Sequence, residues 1–386
     1  MTNRRARRVL IDGYYIDRPY GFGRYIRELV HALDHSDAEV EPVLLVPDSA
    51  LASTQGLRGR VELIARRGVP FPLWEQVIVP WTALTASCSL IHFPYQSSAL
   101  LWPAGSTVAT IHDLMFLGPK SLSSTPLADY LAHVYRRTMF SLHTRRARRT
   151  IAVSAATKSD LLDTVGVEST VVPNICDAFV TEHLPCAAAP GEGRFFLHRG
   201  QFPGTNKNTQ RVIAAFASVR RRHPDVRLMI YGTAPNEQML AGPGGQGISL
   251  VGKISDERLA SLYKAAVAVV APSLVEGFGL SIIEGFGFGA PVITSAIPPM
   301  GEIAASAALL VDPTSVDQIS DAMSAVLEDR PLRESLLRRG AERYQLFRPT
   351  NIAHQIAAVY NDAPVAALSD PLLPRTQASE PPWIQR

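Results

Sequence analysis

Residues 266–294 read AVAVVAPSLVEGFGLSIIEGFGFGAPVIT, and this stretch decides the fold of the second half of the chain. The apolar run Ala266–Val270 predicts a buried strand, and Pro291–Thr294 predicts the next one. Between them, a glycine-containing loop leads into a helix predicted over Gly279–Phe286. Continuous apolar strands with a helix between them are typical of a parallel sheet that is covered on both faces.

The loop after the first of these strands carries candidate ligand-binding residues. Gly277 and Gly279 flank Phe278, so the backbone can turn sharply here and approach a ligand closely. The first helix amides, near Leu280, lack partners within the helix and carry partial positive charge, which suits a diphosphate. Glu276 lies beside these groups, where its carboxylate can accept hydrogen bonds.

Short apolar runs alternate with helical patterns along most of the chain. This predicts an α/β protein with two doubly wound parallel-sheet domains, residues 1–175 and 194–348, that face a central cleft. Residues 176–193 contain prolines and little periodicity and are interpreted as a linker. A last helix at 349–362 is expected to return to the first domain, and the five prolines in 362–386 favour a disordered tail at 363–386.

Composition narrows the class of protein. With 46% hydrophobic and 19% charged residues among 386, the chain resembles a soluble globular protein. A net charge of +3 gives no sign of nucleic-acid binding. The three cysteines show no spacing typical of a disulfide framework or a zinc site, so a reduced, cytoplasmic protein is expected. Since no stretch approaches the roughly 20 apolar residues of a membrane span, any membrane contact is expected to be peripheral.

Other candidate residues follow strands, where ligands bind in such sheets. Lys207 precedes a predicted helix, and a fixed cation there stabilises a departing diphosphate most strongly in the transition state. Arg199, at a strand end, is either a second cation or part of a surface ion pair. His112 follows the predicted strand at 108–111, where its ring or its backbone carbonyl can contact a polar group of a ligand. Asp113 is expected to hold its loop, and it is also a candidate acceptor or phosphate contact.

The first long helix is preceded by a second glycine loop. Gly21 and Gly23 permit close backbone approach to the diphosphate or the acceptor, or they form a plain turn. Arg24 opens the helix and is a candidate contact to a phosphate of donor or acceptor.

Together, these motifs resemble one family. The spacing Glu276-x7-Glu284 within EGFGLSIIEGFGFGAPVI is similar to the signature of retaining glycosyltransferase family 4, whose fold is GT-B. Four further segments resemble the same family in the right order: DGYYIDRPYGFGRYIRELVHAL at 12–33, VATIHDLMFLGP at 108–119, NKNTQRVIAAFASVRRRHPDVRLMIYG at 206–232 and ALLVDPTSVDQISDAMSAVLEDRPLRESL at 308–336. Motifs at matching strand ends are far more specific than one glycine loop.

The resemblance implies roles for these residues. Glu276 would contact the donor sugar, Glu284 would hold the nucleotide ribose, and Lys207 and His112 would complete the catalytic set. The donor would be a nucleotide-diphosphate sugar, with no metal and no other cofactor, and transfer would retain the anomeric configuration without a covalent intermediate. The chain departs from the family's pattern around Arg199, because the register of the usual phosphate-binding arginine differs.

The donor and acceptor follow from a finer likeness. The IHDL and WEQ segments resemble bacterial mannosyltransferases of surface polysaccharide assembly, which implies GDP-mannose and a glycan or polyprenyl-diphosphate-linked acceptor. UDP-glucose, GDP-fucose and dTDP-linked rhamnose stay open. The alternatives are another GT-B enzyme, either an epimerase or a phosphorylase, or a non-catalytic nucleotide-sugar-binding module.

Arginines cluster in the first domain. Arg136 and Arg137 lie on one side of the apolar stretch Met139–Leu142, and Arg145, Arg146, Arg148 and Arg149 follow it. Arginines beside an apolar face suit an anionic membrane surface, although a solvated helix face is the alternative. Family members that act on lipid-linked acceptors often dock through this domain. We therefore expect a cytoplasmic protein with peripheral contact to the inner face of the plasma membrane.

Overall fold

The computed structural model describes residues 6–18, 21–57, 59–97, 99–100, 102–117, 127–144, 147, 149–189, 191–201, 206–232, 245–363 and 365. These residues form two parallel sheets, each with its own hydrophobic cores. The predicted tail at 363–386 falls almost entirely outside this range, as do Arg145, Arg146 and Arg148. The expected α/β fold with two doubly wound sheets is confirmed.

The first sheet has seven described strands in the order β3-β2-β1-β4-β5-β6-β7. The strands are β1 (Arg7–Asp12), β2 (Val40–Pro47), β3 (Glu62–Arg66), β4 (Leu90–Phe93), β5 (Thr107–Ile111), β6 (Arg149–Ala152) and β7 (Thr170–Val171). Its helices are α1 (Phe22–Asp34), α2 (Phe71–Leu73), α3 (Val79–Thr85), α4 (Leu127–Thr144) and α5 (Ala155–Val165). A π-helical turn, Trp74–Ile78, joins α2 to α3.

The second sheet repeats this topology with six described strands in the order β10-β9-β8-β11-β12-β13. The strands are β8 (Phe195–Gly200), β9 (Arg227–Gly232), β10 (Ile248–Gly252), β11 (Ala268–Ala271), β12 (Val292–Ser295) and β13 (Leu309–Val311). The remaining helices are α6 (Ala178–His183), α7 (Thr209–Arg222), α8 (Asp256–Ala265), α9 (Leu280–Gly287), α10 (Met300–Ala304), α11 (Val316–Glu328), α12 (Arg330–Tyr344) and α13 (Pro349–Tyr360).

Several elements were not predicted from the sequence, among them β3, β13, α6 and the short α10. β3 and β13 are edge strands, and they have partly exposed residues in place of a continuous buried run. An edge strand pairs on one side only, so its sequence shows a weaker hydrophobic pattern than a central strand. Helix α6 lies inside the predicted linker, and Phe179 and Val180 bury it in the core of the second domain.

The chain passes between the domains at two neighbouring places. After α12 it returns to the first domain, where Ile352 and Ile356 of α13 share a core with α1. The hydroxyl of Tyr344 donates to Asp177 Oδ1 at 3.0 Å, and Arg348 Nε lies 3.5 Å from the same atom. These contacts tie the second crossing to the first, which lies just before α6.

A buried histidine occupies an inner strand of each sheet. His92 on β4 bonds the hydroxyls of Tyr360 and Thr110, and His198 on β8 bonds Thr209 and the carbonyl of Val270. Burial lowers the pKa of His92 to about 3 and that of His198 to about 4. Both imidazoles are therefore neutral partners in the core and not candidate proton donors at neutral pH.

Acidification is expected to destabilise the protein through these two histidines. The unfolded chain takes up protons below a pKa of about 6.5 while the folded chain does not, so stability falls as pH falls through that value. Urea unfolding of the wild type should lose about 1.5 kcal/mol more between pH 7.5 and pH 6.0 than the double variant His92→Gln/His198→Gln loses. Equal losses for the two proteins would show that these imidazoles are not the cause.

Candidate active site

The candidate site lies where the strand order of the second sheet reverses, between β8 and β11. Loops that follow these two strands leave in opposite directions, which opens a crevice at the carboxyl edge of the sheet. Lys207 lies in the first loop and Glu276 in the second. Lys207 Nζ donates to Glu276 Oε1, and Ser273 Oγ donates to the same oxygen at 2.8 Å. Each of the two charged side chains is 15% exposed, so the pair borders the crevice without being free in solvent.

Backbone geometry fixes the loops around this pair. Asn208, with φ of 60°, ends the Lys207 loop in a left-handed conformation, and its amide donates to the carbonyls of Pro272 and Pro313. Gly279 has φ of 102°, a value that glycine adopts without strain, and α9 begins at the next residue, Leu280. The predicted glycine turn into a helix is therefore present.

The loops of the two sheets touch at Gly277. A Cβ atom placed on this residue would lie 2.2 Å from the carbonyl oxygen of His112, in the loop after β5. Thr157 Oγ1 lies 3.5 Å from that oxygen and 3.4 Å from the carbonyl oxygen of Gly277. His112 of the first domain is thereby held at the edge of the Glu276 loop of the second.

His112 is a neutral group with one nitrogen committed. Burial lowers its pKa to about 4, and its Nε2 donates to the carbonyl of Pro94 at 3.1 Å. Since a neutral imidazole has one donor, Nδ1 is left as an acceptor. Asp113 Oδ1 accepts the amide of Met115 at 3.0 Å, and burial, followed by the nearby Glu276, raises the pKa of this carboxyl.

Glu284 forms a buried cluster with Arg24. Its Oε1 accepts Arg24 Nη1 at 2.6 Å, and its Oε2 accepts the hydroxyl of Tyr263 at 2.5 Å. The guanidinium of Arg24 lies 4.0 Å from the centre of the Phe179 ring. From the sequence, Arg24 was a candidate contact to a phosphate and Glu284 a candidate contact to the ribose of the nucleotide. In the structure, the two side chains pair with each other across the two domains.

Arg199 lies beside this cluster, at the end of β8. Burial acts to lower the pKa of its guanidinium, but Tyr231, Glu284 and Glu276 together raise it. The charged form of Arg199 is therefore stabilised by Tyr231, Glu284 and Glu276. This location is compatible with a second phosphate-binding cation, although the register differs from the family's usual one.

The remaining predicted residues shape the backbone. Gly21, with φ of 63°, caps α1, and a Cβ on Gly23 would lie 2.2 Å from the carbonyl oxygen of Arg18. Phe278 is 4% exposed and packs edge-on against Phe347, so its side chain belongs to the core.

Sequence reasoning missed two residues of this region. Tyr263 fits the apolar pattern of α8, but a buried tyrosine hydroxyl needs a partner, and that partner is Glu284. Glu302 of α10 accepts the amides of Ala155 and Ala156 at 2.8 and 3.2 Å, which places a carboxylate of the second domain at the first turn of α5. Nothing in the local sequence of Glu302 indicates this distant contact.

Among the described residues, no three or more His, Cys, Asp or Glu side chains are grouped so that they could hold a metal ion. The helices within these ranges are too short or too polar to cross a membrane.

Substitution of Gly277 by alanine is expected to force the two domains apart locally. The new methyl group would meet the carbonyl of His112 far inside contact distance, and overpacking of this kind costs about 1–3 kcal/mol. Urea unfolding measures this loss, and hydrogen exchange should show faster exchange in the loops at 112–117 and 154–157. Gly105→Ala is the control, since nothing lies within 4 Å of its Cβ position. If both variants were equally stable, the close contact would not constrain the domains.

Both halves of the chain match known families. Residues 19–178 match the family described as Glycosyltransferase Family 4, and residues 182–343 match the family described as Glycosyl transferases group 1. The chain is 26% identical over 372 residues to the phosphatidyl-myo-inositol mannosyltransferase of Mycolicibacterium smegmatis, which spans 91% of this chain and 92% of that protein. It is 37% identical over 113 residues to O-antigen chain mannosyltransferase B of Escherichia coli, which spans 29% of this chain and 30% of that protein.

Solved structures share the fold. Sucrose-phosphate synthase from Thermosynechococcus elongatus superposes with a TM-score of 0.67 at 20% identity, covering 92% of this chain and 98% of that one. Anabaena HepE, solved with UDP and glucose, gives a TM-score of 0.64 at 18% identity and covers 92% of this chain and 100% of that one. The two matched regions follow the two sheets in order, and the chain therefore belongs to glycosyltransferase family 4, as a two-domain GT-B enzyme with mannosyltransferase relatives.

Proposed function

We propose that this enzyme transfers a hexosyl group, mannose as the first choice, from a nucleotide-diphosphate sugar with retention of anomeric configuration. The acceptor is a glycan or a polyprenyl-diphosphate-linked saccharide. The observation that carries the proposal is the Lys207–Glu276 ion pair at the crevice of the second sheet, with His112 of the first domain held against the same loop. A cation and a carboxylate are thus placed together where a donor's phosphate and sugar would meet.

The cation serves the leaving group. As the bond from sugar C1 to the diphosphate breaks, negative charge grows on the departing oxygen. Lys207 exchanges Glu276 for this phosphate, and Arg199 and the first amides of α9, near Leu280, add positive potential. Lys207 changes partner when the donor binds, so these groups are in place before the bond breaks and stabilise the charge of the transition state.

The carboxylate and the histidine serve the sugar. Released from Lys207, Glu276 accepts hydrogen bonds from sugar hydroxyls, and the free Nδ1 of neutral His112 accepts another. In the retaining step, the acceptor oxygen bonds C1 on the face that the diphosphate leaves. Its proton passes to the departing diphosphate oxygen, so no enzyme nucleophile is required.

Relatives support the choice of donor. Those named above are a phosphatidyl-myo-inositol mannosyltransferase and an O-antigen chain mannosyltransferase, which favours mannose as the sugar. GDP-mannose is the donor that we propose on this basis, following the resemblance of the IHDL and WEQ segments. The fold relative with UDP and glucose makes UDP-glucose the competing donor.

Loss of either charge is expected to lower turnover. Glu276→Gln and Lys207→Met should each reduce kcat by about 10²–10³-fold, the range for removal of one electrostatic group at a transition state. Activity is measured as nucleoside diphosphate released from GDP-mannose or UDP-glucose in the presence of acceptor, and NMR of the product reports the anomer. Lys253→Met removes an exposed lysine of the same domain and is the control.

The same assay separates the alternatives. Release that depends on acceptor, with the anomer retained, supports transfer. An inverted product contradicts retention. Interconversion of donor sugars without acceptor indicates an epimerase, release driven by inorganic phosphate indicates a phosphorylase, and binding without turnover indicates a binding module.

The proposal also includes peripheral contact with an anionic membrane, and the surface of helix α4 supports it. Leu131, Val134 and Leu142 are 57%, 42% and 48% exposed, and Arg136 and Arg137 on the same helix are also exposed. Gln76 Nε2 lies 3.3 Å from the hydroxyl of Tyr135 and joins α4 to the neighbouring helical segment. That segment is also apolar at its surface, through Leu73, Val77, Trp81 and Leu84. Apolar side chains beside arginines suit the interface of a bilayer that carries negative charge.

The double variant Leu131→Asp/Val134→Asp is expected to bind vesicles of anionic phospholipid at least tenfold more weakly, because two apolar anchors are replaced by repelled charges. Co-sedimentation with vesicles measures this. Leu162→Asp changes a comparably exposed leucine on α5 and should bind as the wild type does. Equal binding of all three proteins would exclude α4 as the membrane contact.

A further inference from the structure

A buried ion pair between Arg24 and Glu284 joins the two domains, and it leaves part of the guanidinium without a hydrogen bond. Arg24 belongs to α1 of the first domain and is 7% exposed, and Glu284 belongs to α9 of the second and is 3% exposed. Nη1 of Arg24 donates to Glu284 at 2.6 Å, while its Nη2 is buried without a hydrogen-bond partner. A guanidinium that is buried but only partly satisfied suggests a contact that is exchanged during function.

The carboxylate of Glu284 is closed to a new ligand by burial. Arg24 bonds one oxygen and the hydroxyl of Tyr263 bonds the other, and the residue is only 3% exposed. A ribose diol would donate two further hydrogen bonds to this carboxylate, which has acceptor sites left for them. The diol can reach these sites only after a covering side chain has moved, and Arg24 is the covering group from the other domain.

We propose that Arg24 and Glu284 form an interdomain latch, in which Arg24 competes with the ribose of the donor for Glu284. The inference rests on the proposed function, since it takes Glu284 as the ribose contact. In the ligand-free enzyme the latch holds the domains together, and the nucleotide binds fully only after Arg24 has left.

The structure provides a place for the displaced side chain. A cavity of about 140 Å³ borders Arg24, and three acidic residues, Glu28, Glu182 and Asp256, line it together with Arg27 and two histidines. A guanidinium that rotates out of the latch lies near these acidic residues, which outnumber the one arginine, and its charge stays compensated. Arg24 thus exchanges Glu284 for other carboxylates, and Glu284 exchanges Arg24 for the hydroxyls of the ribose.

The latch also makes the ribose a recognition element. Removal of one partner of a buried ion pair is costly when nothing replaces it. A ribose with both hydroxyls replaces the lost bonds to Glu284, whereas a dideoxyribose cannot. The latch thus selects against nucleotides that lack the diol, even when their base and diphosphate are correct.

The test compares two probes on two matched variants. Arg24→Met removes the charge and keeps an unbranched apolar stem, and Arg149→Met makes the same change at an arginine of the first domain that bonds Asp362 and does not line the cavity. Calorimetric titration with GDP should show about tenfold tighter binding to Arg24→Met than to wild type, because the competitor is gone. Arg149→Met should bind as wild type does, and 2′,3′-dideoxy-GDP should gain nothing from either change.

Two results would overturn the latch. One is unchanged or weaker GDP binding by a folded Arg24→Met protein, and the other is an equal gain for the dideoxy probe. Arg24→Lys keeps the positive charge on a single ammonium group. Its affinity for GDP should therefore lie between those of wild type and Arg24→Met. Circular dichroism confirms folding of each variant.

A readout without ligand separates this proposal from the proposed function. Small-angle scattering of ligand-free Arg24→Met should give a larger radius of gyration than wild type, since one of the buried contacts between the domains is lost. If GDP, UDP, ADP and dTDP all fail to bind wild type, the proposed function fails and ribose competition fails with it, while scattering still decides whether the pair holds the domains. An unchanged radius would contradict that role as well.

Discussion

The contact of Gly277 with the carbonyl of His112 sets the distance between the two domains at the point where chemistry is expected. Any side chain at this position would push the loops apart, because even a Cβ would fall 2.2 Å from the carbonyl oxygen, closer than real Cβ atoms come to other atoms. The pairing of Lys207 with Glu276 then lies next to a histidine from the other half of the chain. A site built from two sheets therefore depends on the absence of one methyl group.

Several charged groups join the domains around this point. Arg24 and Glu284 pair across the interface, Glu28 accepts the amides of Asp177, Ala178 and Phe179, and Glu302 accepts two amides of α5. A buried charge is stable only with a partner, so the loss of one partner is costly unless another group replaces it. Because these contacts are hydrogen bonds, a polar ligand can supply the replacement.

The sequence predicted the sheets well because their central strands are continuous apolar runs, as β4 and β5 show with every residue buried. Glycine turns such as that at Gly279 were also predictable, since one local conformation requires them. The pairing of Arg24 with Glu284 was not, because 260 residues separate them and each has a plausible local role. Tyr263 was missed because it fits the apolar pattern of α8. The edge strands β3 and β13 were missed because their hydrophobic pattern is weak. Local rules thus found the elements, whereas contacts between domains depend on tertiary packing.

Within the part of the chain that the structure describes, the chain crosses between the domains twice, and the two crossings are bonded to each other through Tyr344, Arg348 and Asp177. Two covalent connections at one place favour a pivot there, because a movement that separated the crossings would break these bonds. A cleft that opened about this pivot would bring its opposing walls back to the same alignment on closing. Groups bound on the two walls would then meet in a reproducible geometry.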